Sequence, residues 1–166
     1  MIKKLLLIAA IMLPMCVSAQ TLKIGLVNTD EIVGAMPETA AAQTTLADAQ
    51  KKYQAEFALI EQEFQRQYEE FNNLPADELP AIRDRKARQL QDTQQKAEAF
   101  QQNVMADLQK QQNDLMAPIM QKVRDAIESV GKENGFSLIQ DLAGGTLYFA
   151  APVEDITPLV KAKLGL

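Results

Sequence analysis

From Thr39 to Glu133 the sequence holds a single glycine, Gly131, in a stretch dominated by Gln, Ala, Glu, Asp, Lys and Arg. Strong helix formers without breakers over such a length predict long helices. One interruption stands out. Asn72, Asn73, Pro75 and Pro80 fall close together, which predicts an outgoing helix to about Phe71, a turn near 72–80 and a return helix from about Glu78. Asp77 is expected to cap the return helix, with Pro80 at its third position, where no intrahelical amide bond is lost. At 1.5 Å per residue an outgoing arm of roughly 35 residues extends about 50 Å. A head made from the rest of the chain cannot cover that length, so the hairpin projects.

The apolar periodicity agrees with a hairpin. Leu46, Gln50, Tyr53, Phe57, Ile60, Phe64, Gln67, Phe71 and Leu74 alternate at spacings of four and three. That is a coiled-coil seam, with glutamine at two of its positions. On the return arm the apolar positions are Ile82, Leu90, Phe100, Val104, Leu108, Leu115, Ile119, Val123, Ile127 and Val130, with Lys86, Thr93 and Ala97 filling the gaps. The pattern is dense toward the chain ends and thin toward the tip. It predicts a firm base and a loose tip.

The two ends of the chain read differently. Leu22 to Val27 is apolar and β-prone, and Phe136 to Ile139 and Thr146 to Phe149 flank a turn at Gly144-Gly145, which predicts a hairpin of two short strands. Thr157 is expected to cap a last helix that has Pro158 at its first position and ends near Leu164. With β-structure at both ends and helix between, the ends must meet. The fold class is therefore α+β: a small β body from residues 20–36 and 131–166, carrying a helical arm at 37–130.

Residues 1–19 form a basic start at Lys3-Lys4, an apolar run from Leu5 to Leu13 too short to span a bilayer, and small residues Val17 and Ala19 before Gln20. This is the pattern of a secretory signal peptide cleaved after Ala19, and Cys16 leaves with it. Of the 166 residues, 147 then remain; losing Lys3 and Lys4 from the 17 basic residues leaves 15 against 22 acidic ones, a formal charge of −7. With no histidine in the sequence and no cysteine left, thiol catalysis, disulfides, zinc sites of the Cys/His kinds and imidazole triads are all excluded. Binding of nucleic acid by bulk charge is not expected at this acidity. The carboxylates lie interleaved with Lys and Arg on helices and form no compact apolar pair of the kind that tunes an acid catalyst. The reading is of an exported non-enzyme that needs no cofactor and no metal.

Two separated sets of end residues carry a family resemblance. At the start they are Lys23 to Asn28, Glu31-Ile32-Val33 and Pro37-Glu38; at the finish, Ile127 to Val130, Phe136 to Ile139, Tyr148 and Val153 to Thr157. With the hairpin between them, the chain resembles the Skp/OmpH family of bacterial periplasmic chaperones. The resemblance implies a homotrimer whose β body is built from the terminal segments. Its hairpins would enclose unfolded outer-membrane β-barrel proteins without ATP. The family's best-known members are strongly basic, whereas this sequence has a pI near 4.8. That departure counts against contact of the tips with membrane or lipopolysaccharide.

Three groups of residues are candidates for function. Tyr53, Phe57, Phe64, Tyr68, Phe71 and Phe100 can contact an unfolded client, or else hold the two arms together; Tyr68, off the seam, is the best placed to be exposed. Arg83, Arg85, Lys86 and Arg88 form a basic cluster just past the tip, either a solvated face or a steering patch. Pro118, inside the return helix, predicts a bend or hinge where the arm meets the body. The competing functional reading is an exported coiled-coil adaptor or spacer for a specific envelope partner, which would need a tight, continuous seam.

Overall fold

The computed structural model describes residues 22–145 and 152–166. Strand β1 (Ile24–Val27) leads into helix α1 (Thr29–Ala35) and then the long helices α2 (Pro37–Asn72) and α3 (Pro80–Glu133). Strands β2 (Leu138–Asp141) and β3 (Val153–Asp155) and helix α4 (Thr157–Leu164) complete the order. The 36 and 54 residues of α2 and α3 span roughly 54 and 80 Å. They run antiparallel as the expected hairpin, rooted in a small body made by the chain ends.

The body is a three-stranded sheet with β1 in the middle, in the order β2-β1-β3, and both neighbours run parallel to it. Strand β3 has no counterpart among the strands expected from the sequence, and the described late strands do not pair with each other. Each pairs with the N-terminal strand instead, Ile24 standing in register with Leu138 on one side and Val153 on the other. The second arm of the expected hairpin, Thr146 to Phe149, lies outside the described residues, as do Tyr148 and the expected leader at 1–19.

Among the described residues, only one face of the sheet is packed. Val27 joins Ile32, Met36, Val123, Ile156 and Val160 in a core where each is at most 2% exposed. Gly25 lies on this face because Phe136 and Ile156 press against its backbone: a Cβ built there would meet Phe136 Cδ1 at 3.1 Å and Ile156 Cγ2 at 3.2 Å. The ammonium of Lys23 sits 4.0 Å from the centre of the Phe136 ring, a cation–π contact.

Helix α1 has no counterpart in the sequence reading. Asn28 caps it, its side-chain oxygen accepting from Glu31 N at 3.1 Å, and Ile32 anchors it in the core. Seven residues carry too short a period to be read from hydrophobicity. Two expected caps also differ. Asp77 does not cap α3, which starts with Leu79 at the cap position and Pro80 in the first turn. Thr157 is not a cap either: it is the first residue of α4, and its hydroxyl accepts from Asn28 N at 3.0 Å, tying the last helix to the end of β1. On the other side of β1, Asp141 accepts from Thr29 Oγ1 at 2.6 Å and Thr29 N at 3.3 Å. Polar side chains thus join the two chain ends at the carboxyl end of the sheet.

Candidate functional site

The dry core stops early along the arm. Ala42, Ile119 and Val123 are buried at the base, but farther out Ile60 is the one apolar side chain of the arm, among the described residues, that is less than a tenth exposed. The seam in between is held by aromatic contacts and polar pairs. Phe100 of α3 stacks with Phe57 at a ring separation of 6.3 Å and meets Tyr53 edge-on at 6.3 Å. Tyr53 donates its hydroxyl to Asp107, which also accepts from Gln111 Nε2 at 2.6 Å. Donation from Tyr53, then from Gln111, holds the Asp107 carboxyl below its ordinary value; the phenol rises in turn because the carboxylate accepts its proton. Farther out Thr93 donates to Gln67 at 2.9 Å, and Lys86 pairs with Glu70. Gln67 and Thr93 of the seam are therefore used as each other's polar partners.

The aromatic candidates separate into two groups. Tyr53, Phe57 and Phe100 come together across the arms, and Phe71 is half-buried toward the tip. Phe64 stacks with Tyr68 along one helix at 6.4 Å, and Tyr68 is 48% exposed. The basic cluster is partly engaged in structure. Arg83 donates to Pro75 O at 3.0 Å across the turn, Lys86 is the partner of Glu70, and Arg88 donates to the Asp84 carbonyl at 3.4 Å; Arg85 lies exposed beside them. Pro118 sits on the exposed side of an uninterrupted α3, one residue before buried Ile119. Water can reach the Asp114 carbonyl that proline leaves without its helical donor.

Two hollows open along one face of the hairpin. One, of about 760 Å³, is lined by Phe57, Ile60 and Phe64 on its floor and by Ala58, Glu61, Gln65, Gln94 and Ala97 at its edges. The other, of about 300 Å³, has Tyr53, Phe57, Phe100 and Val104 as its floor, with Gln50, Gln54, Gln101, Met105 and Leu108 around it. They share Phe57. Their edge residues Gln54, Ala58, Glu61 and Gln65 recur at spacings of four and three on α2, as do Gln94, Ala97, Gln101, Met105 and Leu108 on α3. Residues so spaced share one side of a helix, so the hollows form one trough. The sequence reading found its aromatic floor but missed its edges, whose glutamines look like ordinary solvated helix surface. The signal was present one position off the seam, in an apolar Met105 that is 73% exposed.

Nothing in these hollows is arranged for catalysis, and among the described residues no three acidic side chains gather as a metal site. The outer face of the body sheet is a second exposed apolar surface, carrying Leu138 at 49% and Val153 at 37% exposure on either side of Ile24.

Comparison with known proteins is consistent with this architecture. The family model described as outer membrane protein (OmpH-like) matches residues 23–164. The chaperone protein Skp of Yersinia enterocolitica is 26% identical over 161 residues, covering 93% of this chain and 94% of its own. An OmpH-like outer-membrane chaperone from Caulobacter crescentus CB15, known as a crystal structure, shares the fold with a TM-score of 0.72. Its identity is 16%, over 85% of this chain and 82% of that one. The family is one of non-enzymatic chaperones. With a family match that runs from the first strand to the last helix, the chain belongs to the OmpH-like outer membrane protein family.

Proposed function

We propose that the mature chain is an ATP-independent periplasmic holdase that binds unfolded outer-membrane β-barrel proteins and keeps them from aggregating in transit. The observation that carries this reading is the arm itself: a long hairpin rooted in a small dry core, with an apolar floor left open between its helices. A holdase needs many weak apolar contacts rather than one deep pocket. Burying one large apolar side chain fully is worth about 1.5–3 kcal/mol, so partial contacts from several arms accumulate while each stays releasable. Unfolded barrel strands also carry unpaired edges that pair with one another, and separating them between arms blocks that route to aggregation.

The body supports an oligomer. A three-stranded sheet with one open face and two unpaired outer edges, among the described residues, is a poor stable surface alone. A homotrimer closing around the Leu138, Ile24 and Val153 row would bury it. Pro118 then stands where each arm leaves the body, and we assign it the role of hinge; amide exchange around Pro118 as slow as that of Val123 would remove that role. The adaptor alternative requires a continuous dry seam, and the seam described above is interrupted by polar pairs and hollows.

The test is light scattering as a urea-unfolded outer-membrane barrel protein is diluted into buffer without ATP, with and without the mature chain. Suppression near one trimer per client is expected at both low and high salt. Failure to suppress with several clients, from a chain shown by size-exclusion light scattering to be folded and oligomeric, would refute the holdase reading.

A further inference from the structure

The trough has a length, a chemistry and a side, and together they select an occupant. We infer that it binds one extended client segment about the length of a single transmembrane β-strand. Such a segment would lay its apolar side chains on the aromatic floor and its backbone against the glutamine edges. The inference rests on the holdase reading and specifies which face of the arm does the holding.

Length comes first. From Gln50 to Glu69 the trough follows α2 for about 28 Å at 1.5 Å per residue. A membrane-spanning strand of 9–11 residues at about 3.3 Å each extends roughly 30–36 Å. At that rise the trough takes about eight residues of extended chain, most of one membrane-spanning strand. A globular side-chain pocket would be shorter and deeper.

Charge comes second. The hollow nearer the body has no charged residue in its lining, in an arm whose other surfaces alternate acids and bases. Its edges are amides, Gln50, Gln54 and Gln101, which donate and accept hydrogen bonds without demanding a charged partner. An extended chain held outside any sheet presents unpaired N–H and C=O groups along both edges, so amides on either side suit it. The lipid-facing side chains of a barrel strand are uncharged and recur at every second residue, which matches a charge-free apolar floor. Met105, exposed and flexible, adapts to side chains of different shape. Toward the tip Glu61, Arg66 and Glu69 bring charge to the lining, so the neutral end nearer the body is the stronger half.

The experiment places a photo-crosslinking residue singly at Met105, at Gln101 and at Leu59. Leu59 is 58% exposed and lines neither hollow. The mature oligomer is mixed with a urea-unfolded eight-stranded outer-membrane barrel and illuminated. Crosslinking is expected to be at least fivefold stronger at Met105 and Gln101 than at Leu59. In parallel, Met105→Glu should weaken client binding about tenfold, while Leu59→Glu leaves it within twofold. Should Met105→Glu disturb the fold, judged by circular dichroism and oligomer mass, the crosslinking ratio decides alone. Equal crosslinking at the three positions, with holding intact, overturns the trough but leaves the holdase standing. A wild-type chain that holds no client overturns both.

Discussion

Adding one methyl group at two glycines should change stability in opposite directions, and the packing sets both signs. At Gly25 a Cβ would stand 3.1 and 3.3 Å from two atoms of the Phe136 ring and 3.2 Å from Ile156 Cγ2. Ile156 is fully buried and cannot retreat, and Phe136 packs against the core. Overpacking of this kind costs about 1–3 kcal/mol. Restricting the unfolded chain by replacing glycine in a strand returns about 0.5–1 kcal/mol. The net for Gly25→Ala is a loss on the order of 1 kcal/mol. Gly34, inside α1, has nothing within 4 Å of its built Cβ. Gly34→Ala therefore keeps the entropic and helix-propensity gain, about 0.5–1 kcal/mol. Urea unfolding followed by circular dichroism at one fixed protomer concentration reads both, since an oligomer's stability moves with concentration. With an m-value of about 2 kcal/mol/M, the midpoints should separate by roughly 0.8 M, Gly25→Ala falling and Gly34→Ala rising. Midpoints that shift in the same direction would refute the claim that close approach of Phe136 and Ile156 is why Gly25 has no side chain.

Tyr53→Phe removes the donor to Asp107 while leaving the edge-on contact with Phe100 in place, and should be read as faster amide exchange in the middle of the arm with the body unchanged. Ile60→Ala deletes the buried side chain farthest out on the arm; it should cost about 2 kcal/mol, near the low end for such truncations because the site is narrow and open to water, and exchange should rise along the arm but not at Val123. Acid should loosen the arm. Hydrogen bonds from Arg66, then Gln67, pull Glu63 down to about 2, and Lys86 and Lys122 lower Glu70 and Glu38. Groups whose folded value lies below the unfolded one stabilise above the unfolded value and lose that contribution as pH falls through the folded one. The loss therefore belongs between about pH 4.5 and pH 2, and 1 M salt should blunt it because these pairs are exposed. Arm exchange rates that do not change across that window would contradict it.

How much of this was legible in the sequence depended on how far apart the interacting residues lie. The long helices and their turn were readable because each residue's helical tendency is local, and because Pro75 and Pro80 mark the break without any partner. The four-three spacing from Leu46 to Leu74 likewise located the seam. Of the sheet, β1 and β2 were legible as strands, whereas the three residues of β3 were not. That Ile24 pairs with both Leu138 and Val153 is a meeting of residues more than a hundred positions apart, and periodicity carries no information about pairing direction. The expected cap at Thr157 failed for a related reason. Thr157 has the right hydroxyl in the right place, but Asn28 N, held 3.0 Å away by the fold, competes for it. In the same way the basic cluster looked uniform along the chain, yet the turn takes Arg83 and the opposite arm takes Lys86.

The glutamines of the seam show why an arm of this kind keeps an open floor. A heptad filled with leucine would close the helices into a dry interface, since each buried apolar side chain adds about 1.5–3 kcal/mol. The floor would then vanish into the seam. Replacing some of those layers with Gln67–Thr93, Tyr53–Asp107 and Glu70–Lys86 keeps the register of the hairpin, because each pair fits only one alignment. It does so with little burial, and the neighbouring rings of Phe57, Phe64 and Phe100 are left only partly buried. Register is thus set by polar contacts while apolar surface stays available, and the two requirements no longer compete for the same side chains. The base obeys the opposite logic. Ile32, Val123, Ile156 and Val160 are withdrawn from solvent, so the stability that the arm forgoes is supplied where the chain ends meet.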